Sequence, residues 1–127
     1  MTGPAISDAH DPGLTALDAL RDAVAEAARD IGMAAEADAI AAAAGPRAIG
    51  KAAARLRGQA WLLARDESRG VGHRVAMPAF PASLVEVVGA ADLFLGWDES
   101  TWCATTRLID SMVSIAWVAA CRQEGAR

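Results

Sequence analysis

His73 is the one histidine in the body of this 127-residue chain, between Gly72 and Arg74 in the stretch RGVGHRVAMPAFPAS, and Cys103 is the thiol nearest the start of its longest apolar helical pattern. An imidazole and a thiol are common partners for acid–base or nucleophilic chemistry near neutral pH, and a helix N-terminus favours the thiolate. If the irregular stretch 69–83 folds over the start of the 98–123 helix, His73 meets Asp98, Glu99 and Cys103, with Phe80, Trp97 and Trp102 as apolar walls. That is the one ligand or enzyme pocket the sequence allows. Plainer readings outweigh it, because a lone histidine is more often a surface or hydrogen-bonded residue and a free cysteine is more often a small buried one.

A second group is electrostatic. Arg47, Lys51 and Arg55, followed by Gln59, step by four along one helix face and make a basic ridge. Charge is segregated along the chain: residues 1–46 hold eight acids and two bases, residues 47–74 seven bases and two acids, and residues 75–127 six acids and three bases. A basic helix invites phosphate, yet the formal charge of the whole chain is −4, far from the balance of a dedicated nucleic-acid binder. Nucleic acid is therefore not the expected partner. The preferred account is that the acidic first hairpin packs beside the basic helix within one fold.

Much chemistry is missing. No phosphate-binding glycine loop, zinc spacing, Glu-x-x-His pair or dinucleotide fingerprint occurs. Asp8, His10 and Asp11 stand together near the N-terminus, but a frayed tail does not preorganise ligands, so neither a metal nor a cofactor is expected. Tyrosine is absent and arginine outnumbers lysine by eleven to one, which reads as a GC-rich, bacterial-like coding bias without mechanistic content.

The elements that must position these groups are helices. Residues 1–13 form a Gly- and Pro-bearing tail, and 14–127 a single domain. A first amphipathic helix, capped by Asp11 or Thr15, carries Leu14, Leu17, Leu20, Val24, Ala28 and Ile31 on one stripe and stops at Gly32. An alanine-rich piece over 33–44 ends at Gly45-Pro46, and a third helix covers 46–67 with Ile49, Ala53, Leu56, Ala60 and Leu63 inward. Ser83 and Glu86 fit a capping box for an apolar helix over 84–95, expected to lie antiparallel to the last one.

The last helix, 98–123, is the expected centre, with Asp98 as cap and Trp97–Trp102 as a staple. Its apolar positions cover most of the circumference. One stripe, Cys103, Arg107, Asp110, Ser114 and Cys121, with Ser111 at its edge, is either the solvent face or a small-residue seam for another helix. Cys103 and Cys121 stand roughly 27 Å apart on such a helix and cannot pair, so they read as free thiols. The apolar runs are too short or too interrupted by charge to span a bilayer, and the N-terminus lacks a secretory signal, so the cytoplasm is the expected compartment.

The fold expected is all-α, a single-domain bundle of about five helices around the C-terminal one. With 54% hydrophobic residues in so short a chain and no catalytic motif, the expected function is non-catalytic protein–protein contact, as an adaptor, a regulatory subunit or a small homo-oligomer. A small enzyme or ligand-binding domain using the pocket between 69–83 and the start of 98–123 is the alternative. Nucleic-acid binding through the 46–67 helix is the third.

Overall fold

The computed structural model describes residues 12–78 and 99–127. Among these residues all regular structure is helical, in four helices: α1 (Pro12–Asp30), α2 (Ala34–Ala41), α3 (Pro46–Gly70) and α4 (Glu99–Gly125). The all-α class is as expected, while the count is four among the described residues where about five were expected. The 84–95 helix, the Ser83–Glu86 box, the Trp97–Asp98 cap and staple and the tail up to residue 11 lie outside them.

Helix ends follow glycine chemistry. Gly32 takes a φ of +90°, and the amides of Gly32 and Met33 donate back to the carbonyls of Arg29 and Ala28 at 3.0 and 2.9 Å, closing α1 with a Schellman-type turn. The same device closes α3: Gly72 has φ +64°, and the Gly72 and His73 amides donate to Arg69 and Ser68 at 3.0 and 2.8 Å. That turn carries α3 to Gly70, three residues past the expected stop at 67, so the expected irregular stretch begins at 71 and not at 69. At the front of α3, Pro46 takes the first helical position, where its missing N–H costs nothing. The second helix is shorter than the expected 33–44, because alanine alone gives it little to bury beyond Ala37 and Ile40.

The core threads all four helices. Leu17, Leu20 and Val24 of α1, Ile40 of α2, Ile49 and Leu56 of α3, and Leu108, Ile115 and Val118 of α4 are buried, with alanines between them. α2 runs back along α1, with Asp38 in its middle paired to Arg29 at 2.7 Å and the Ala43 carbonyl just past its end accepting from Arg21 at 3.0 Å. α3 and α4 make the most extensive contact, and they run parallel. Gly50 lies against Ala104, Arg57 pairs with Asp110 at 3.6 Å, Glu67 pairs with Arg122 at 2.7 Å and Gly125 meets Val71. The end of α3 therefore lies beside the end of α4 and far from its start.

The stripe that could have been solvent face or seam is a seam along most of its length. Ser111, Ser114 and Cys121 are buried toward α3, while Asp110 stays on the surface with Arg57. A Cβ at Gly50 would stand 3.7 Å from Ala104, so the two backbones approach closely there. Arg107 lies along the approach and donates to the Gly50 carbonyl at 3.2 Å. At the far end Arg122 joins three helices, donating to Glu67 of α3 and, at 2.7 Å, to the Ile31 carbonyl that ends α1.

Candidate functional site

The parallel arrangement separates the residues of the expected pocket. His73 follows the turn that ends α3, and its neighbour Arg74 pairs with Glu124 at 3.4 Å, so this histidine lies level with the last turn of α4. Cys103 lies in the first turns of α4, about 30 Å away at 1.5 Å per residue. His73 and Cys103 therefore do not share a site, and the expected pocket joining them is corrected. The cause is direction, since a parallel pair puts the end of α3 beside the end of α4 and not beside its start. Phe80, Trp97 and Asp98 lie outside the described residues.

Each remaining member has a different neighbourhood. His73 adopts a left-handed φ of +59°, and its Nδ1 stands 3.3 Å from Ser68 Oγ. A serine beside a histidine is the start of a nucleophilic pair, but Ser68 is only 3% exposed, and its own carbonyl accepts the His73 amide. The contact fastens the C-terminal turn of α3. Glu99 and Cys103 line a shallow groove of about 430 Å³ with Pro46, Arg47, Lys51 and Arg107, so the start of the basic ridge faces the start of α4. Sequence reasoning treated these two groups separately. Trp102, 41% exposed, points to another side of α4.

Of the two thiols, Cys121 is buried and its pKa is raised, by burial first and then by the nearby Glu67 carboxylate, whereas Cys103 is half-buried. Cys103 should react in the native protein with a small thiol reagent while Cys121 reacts only on unfolding; counting adducts by mass spectrometry with and without denaturant checks this. Among the described residues no group of three or more His, Cys, Asp or Glu is placed to hold a metal ion, and no helix is long and apolar enough to cross a membrane.

The described part of the irregular stretch, residues 71–78, builds a surface along the middle and later turns of α4. Trp117 Nε1 donates to the Val75 carbonyl at 3.1 Å, holding the chain against α4. Two residues on, Met77 lines a groove of about 470 Å³ with Gly58 and Trp61 of α3 and Val113 and Ser114 of α4, and the Arg57–Asp110 pair crosses its edge. Trp61 is 42%, Leu62 49% and Met77 54% exposed. Arg65 lies over the Trp61 ring at 5.1 Å, a cation–π contact that leaves the other parts of the indole open.

This apolar surface was missed in sequence, although a signal was present. Trp61, Leu62 and Leu63 are consecutive, and at 100° per residue no single helix face hides three neighbours. Leu63 is the one that turns toward the core, half-buried against it, and the other two are left outside. Gly58 is the second signal. It stands inside a long helix, where glycine costs about 0.5–1 kcal/mol relative to alanine, and a Cβ there would meet nothing within 4 Å. Packing within the chain limits position 50 to a small residue and sets no such limit at Gly58.

Neither any family model, nor any curated protein, nor any solved structure matches this chain.

Proposed function

We propose that this chain is a non-catalytic helical protein that acts through protein–protein contact, and that the exposed face of α3 around Trp61 is the surface it presents. The observation that carries the reading is three large apolar side chains left about half exposed while the core of the same domain is closed: Trp61 and Met77 at one groove, and Leu62 next to Trp61 on the outer side of α3. Burying an apolar side chain stabilises by roughly 1.5–3 kcal/mol, so leaving three together in water is costly unless something covers them. Aromatic and methionine side chains at the centre with charged residues at the edge is also the usual composition of a protein interface. Gly58 adds to this, since a helix without a side chain at that point lets another backbone come close.

The enzyme reading has less support. Its imidazole and thiol stand at opposite ends of the helix pair, and in the serine–histidine contact among the described residues Ser68 is buried in the turn that ends α3.

Gly58 supplies a test that separates binding from folding. Gly58→Ala should raise stability by about 0.5–1 kcal/mol, because the added methyl meets open space and alanine favours helix. Gly58→Trp should fold equally well yet fill the groove. Oligomeric state and retained partner, read by native mass spectrometry on protein isolated from its own cells, should survive Gly58→Ala and be lost in Gly58→Trp. A strictly monomeric protein that carries no stoichiometric partner in either form would remove the basis of the proposal.

A further inference from the structure

The outward face of α3 has a charge pattern that selects among partners, and it rests on the protein-contact reading above. Arg47, Lys51, Gly58, Leu62, Arg65 and Arg69 all fall within about 60° of one another around the helix, with Trp61 at the edge of that stripe. All are exposed. The stripe is apolar at its centre and basic at both ends, over about 33 Å of helix at 1.5 Å per residue. From residue 46 to residue 65 the helix has no acid at all.

Among the described residues no carboxylate forms an ion pair with Arg47, Lys51 or Arg55, although Glu99 lines the groove beside Arg47 and Lys51 and Glu36 the one beside Arg55. Asp18, Asp22 and Asp38 of the α1–α2 hairpin form pairs within the hairpin, with Arg21 and Arg29, and among the described residues no acid of the hairpin is paired with α3. The acidic hairpin expected beside the basic helix is indeed its neighbour through α2, but among the described residues Arg47, Lys51 and Arg55 have no ion-pair partner. Among the described residues, the cations of this face are therefore open to the carboxylates of a partner.

A second copy cannot supply it through this face. Lys51 and Arg65 stand seven residues either side of Gly58, and Arg47 and Arg69 stand eleven, so the stripe is symmetric in charge about its glycine. In a two-fold dimer formed by crossing two α3 helices at Gly58, Lys51 of one copy would face Arg65 of the other and Arg47 would face Arg69. Like charges set opposite each other across an interface disfavour it. A nucleic-acid duplex would meet the cations but leave Trp61 and Leu62 uncovered, and a single strand could stack a base on Trp61 but leave Leu62 without an apolar partner. What fits both parts is a helix with an apolar middle and acidic ends.

We infer that the partner of this chain is an acidic amphipathic helix of a different protein, laid along α3 with its apolar middle over Gly58, Trp61 and Leu62 and its carboxylates against Lys51 and Arg65, two turns to either side. Seven residues is close to two helical turns, so carboxylates spaced that far from the centre of the partner helix lie on its docking face.

The test places a photo-reactive benzophenone amino acid at position 62 of the full chain, irradiates it in the cells the protein comes from, and maps the crosslinked peptide. The expected product is a helical segment of another protein with apolar residues every third or fourth position and carboxylates about two turns from the crosslink. A synthetic peptide of that segment should then bind the purified chain with a Kd that rises at least about tenfold in Lys51→Glu plus Arg65→Glu, and rises with salt. A crosslink to a second copy, to nucleic acid or to a segment without carboxylates overturns the inference and leaves protein contact or nucleic-acid binding as read from the product. An affinity unchanged by the charge reversals also overturns it. No crosslink at all, from a variant whose melting temperature matches the parent, overturns the protein-contact reading together with it.

Discussion

Gly50→Leu is expected to destabilise the protein by about 2–3 kcal/mol, the usual cost of forcing extra methylenes into a closely packed interior. The position lies where α3 and α4 come closest, with Arg107 Nη1 3.5 Å and Ala104 3.7 Å from the site of a Cβ. Those distances accommodate one methyl, so Gly50→Ala should be close to neutral, the better helix propensity of alanine offsetting a slightly tighter contact. The branched end of a leucine has nowhere to go except into Ala104, and the helices must part. Parting them also pulls Arg107 from the Gly50 carbonyl and Ser111, 3.3 Å from the Ala53 carbonyl, out of reach. Urea unfolding of both variants reads the difference: a leucine variant as stable as the alanine one would mean that the seam is looser than its geometry. At Gly58, where a Cβ meets nothing within 4 Å, even tryptophan should fold.

How far the fold was legible depends on what each signal is local to. Helix starts and stops are local, and Gly32 and Gly45-Pro46 mark them because a left-handed turn or a missing amide acts on the residues beside it; Gly72 carries the same signal, but the expected stop was at 67. The stripe of Cys103, Arg107, Ser111, Ser114 and Cys121 was visible as a pattern, but its role was open, because small polar side chains suit water and a close helix contact equally. Only the partner decides, and the partner is Gly50 and Ala53, half the chain away. Direction was not legible at all. Nearness in sequence suggested that stretch 69–83 would meet the start of the last helix, whereas the parallel α3–α4 pair carries His73 to its far end. Trp61 went unnoticed as a surface residue because inward positions such as Leu56 and Ala60 explained the helix without it.

Leucine at two positions gives the sharpest separation between what holds this fold and what it offers to a partner. Leu108 is fully buried on α4 within the cluster that includes Leu17, Ile49 and Leu56, and Leu108→Ala should cost about 2–5 kcal/mol through lost burial and the cavity left behind. The upper part of that range is expected, because many of the surrounding buried residues are alanines, Ala53, Ala60 and Ala104 among them, whose single methyls cannot swing in to fill the space. Against a domain stability of roughly 5–15 kcal/mol this is a large fraction, and the melting temperature should fall by about 10 °C or more. Leu62→Ala removes the same atoms from a side chain that already lies 49% in water, so stability should change by about 0.5 kcal/mol or less. Partner binding should respond in the opposite order, with Leu62→Ala weakening it at 20 °C and Leu108→Ala leaving it intact wherever the protein remains folded. Thermal unfolding by circular dichroism, paired with native mass spectrometry of the complex, measures both. A Leu62→Ala variant that loses stability as Leu108→Ala does would show that the α3 face is covered by this chain itself and does not meet a partner.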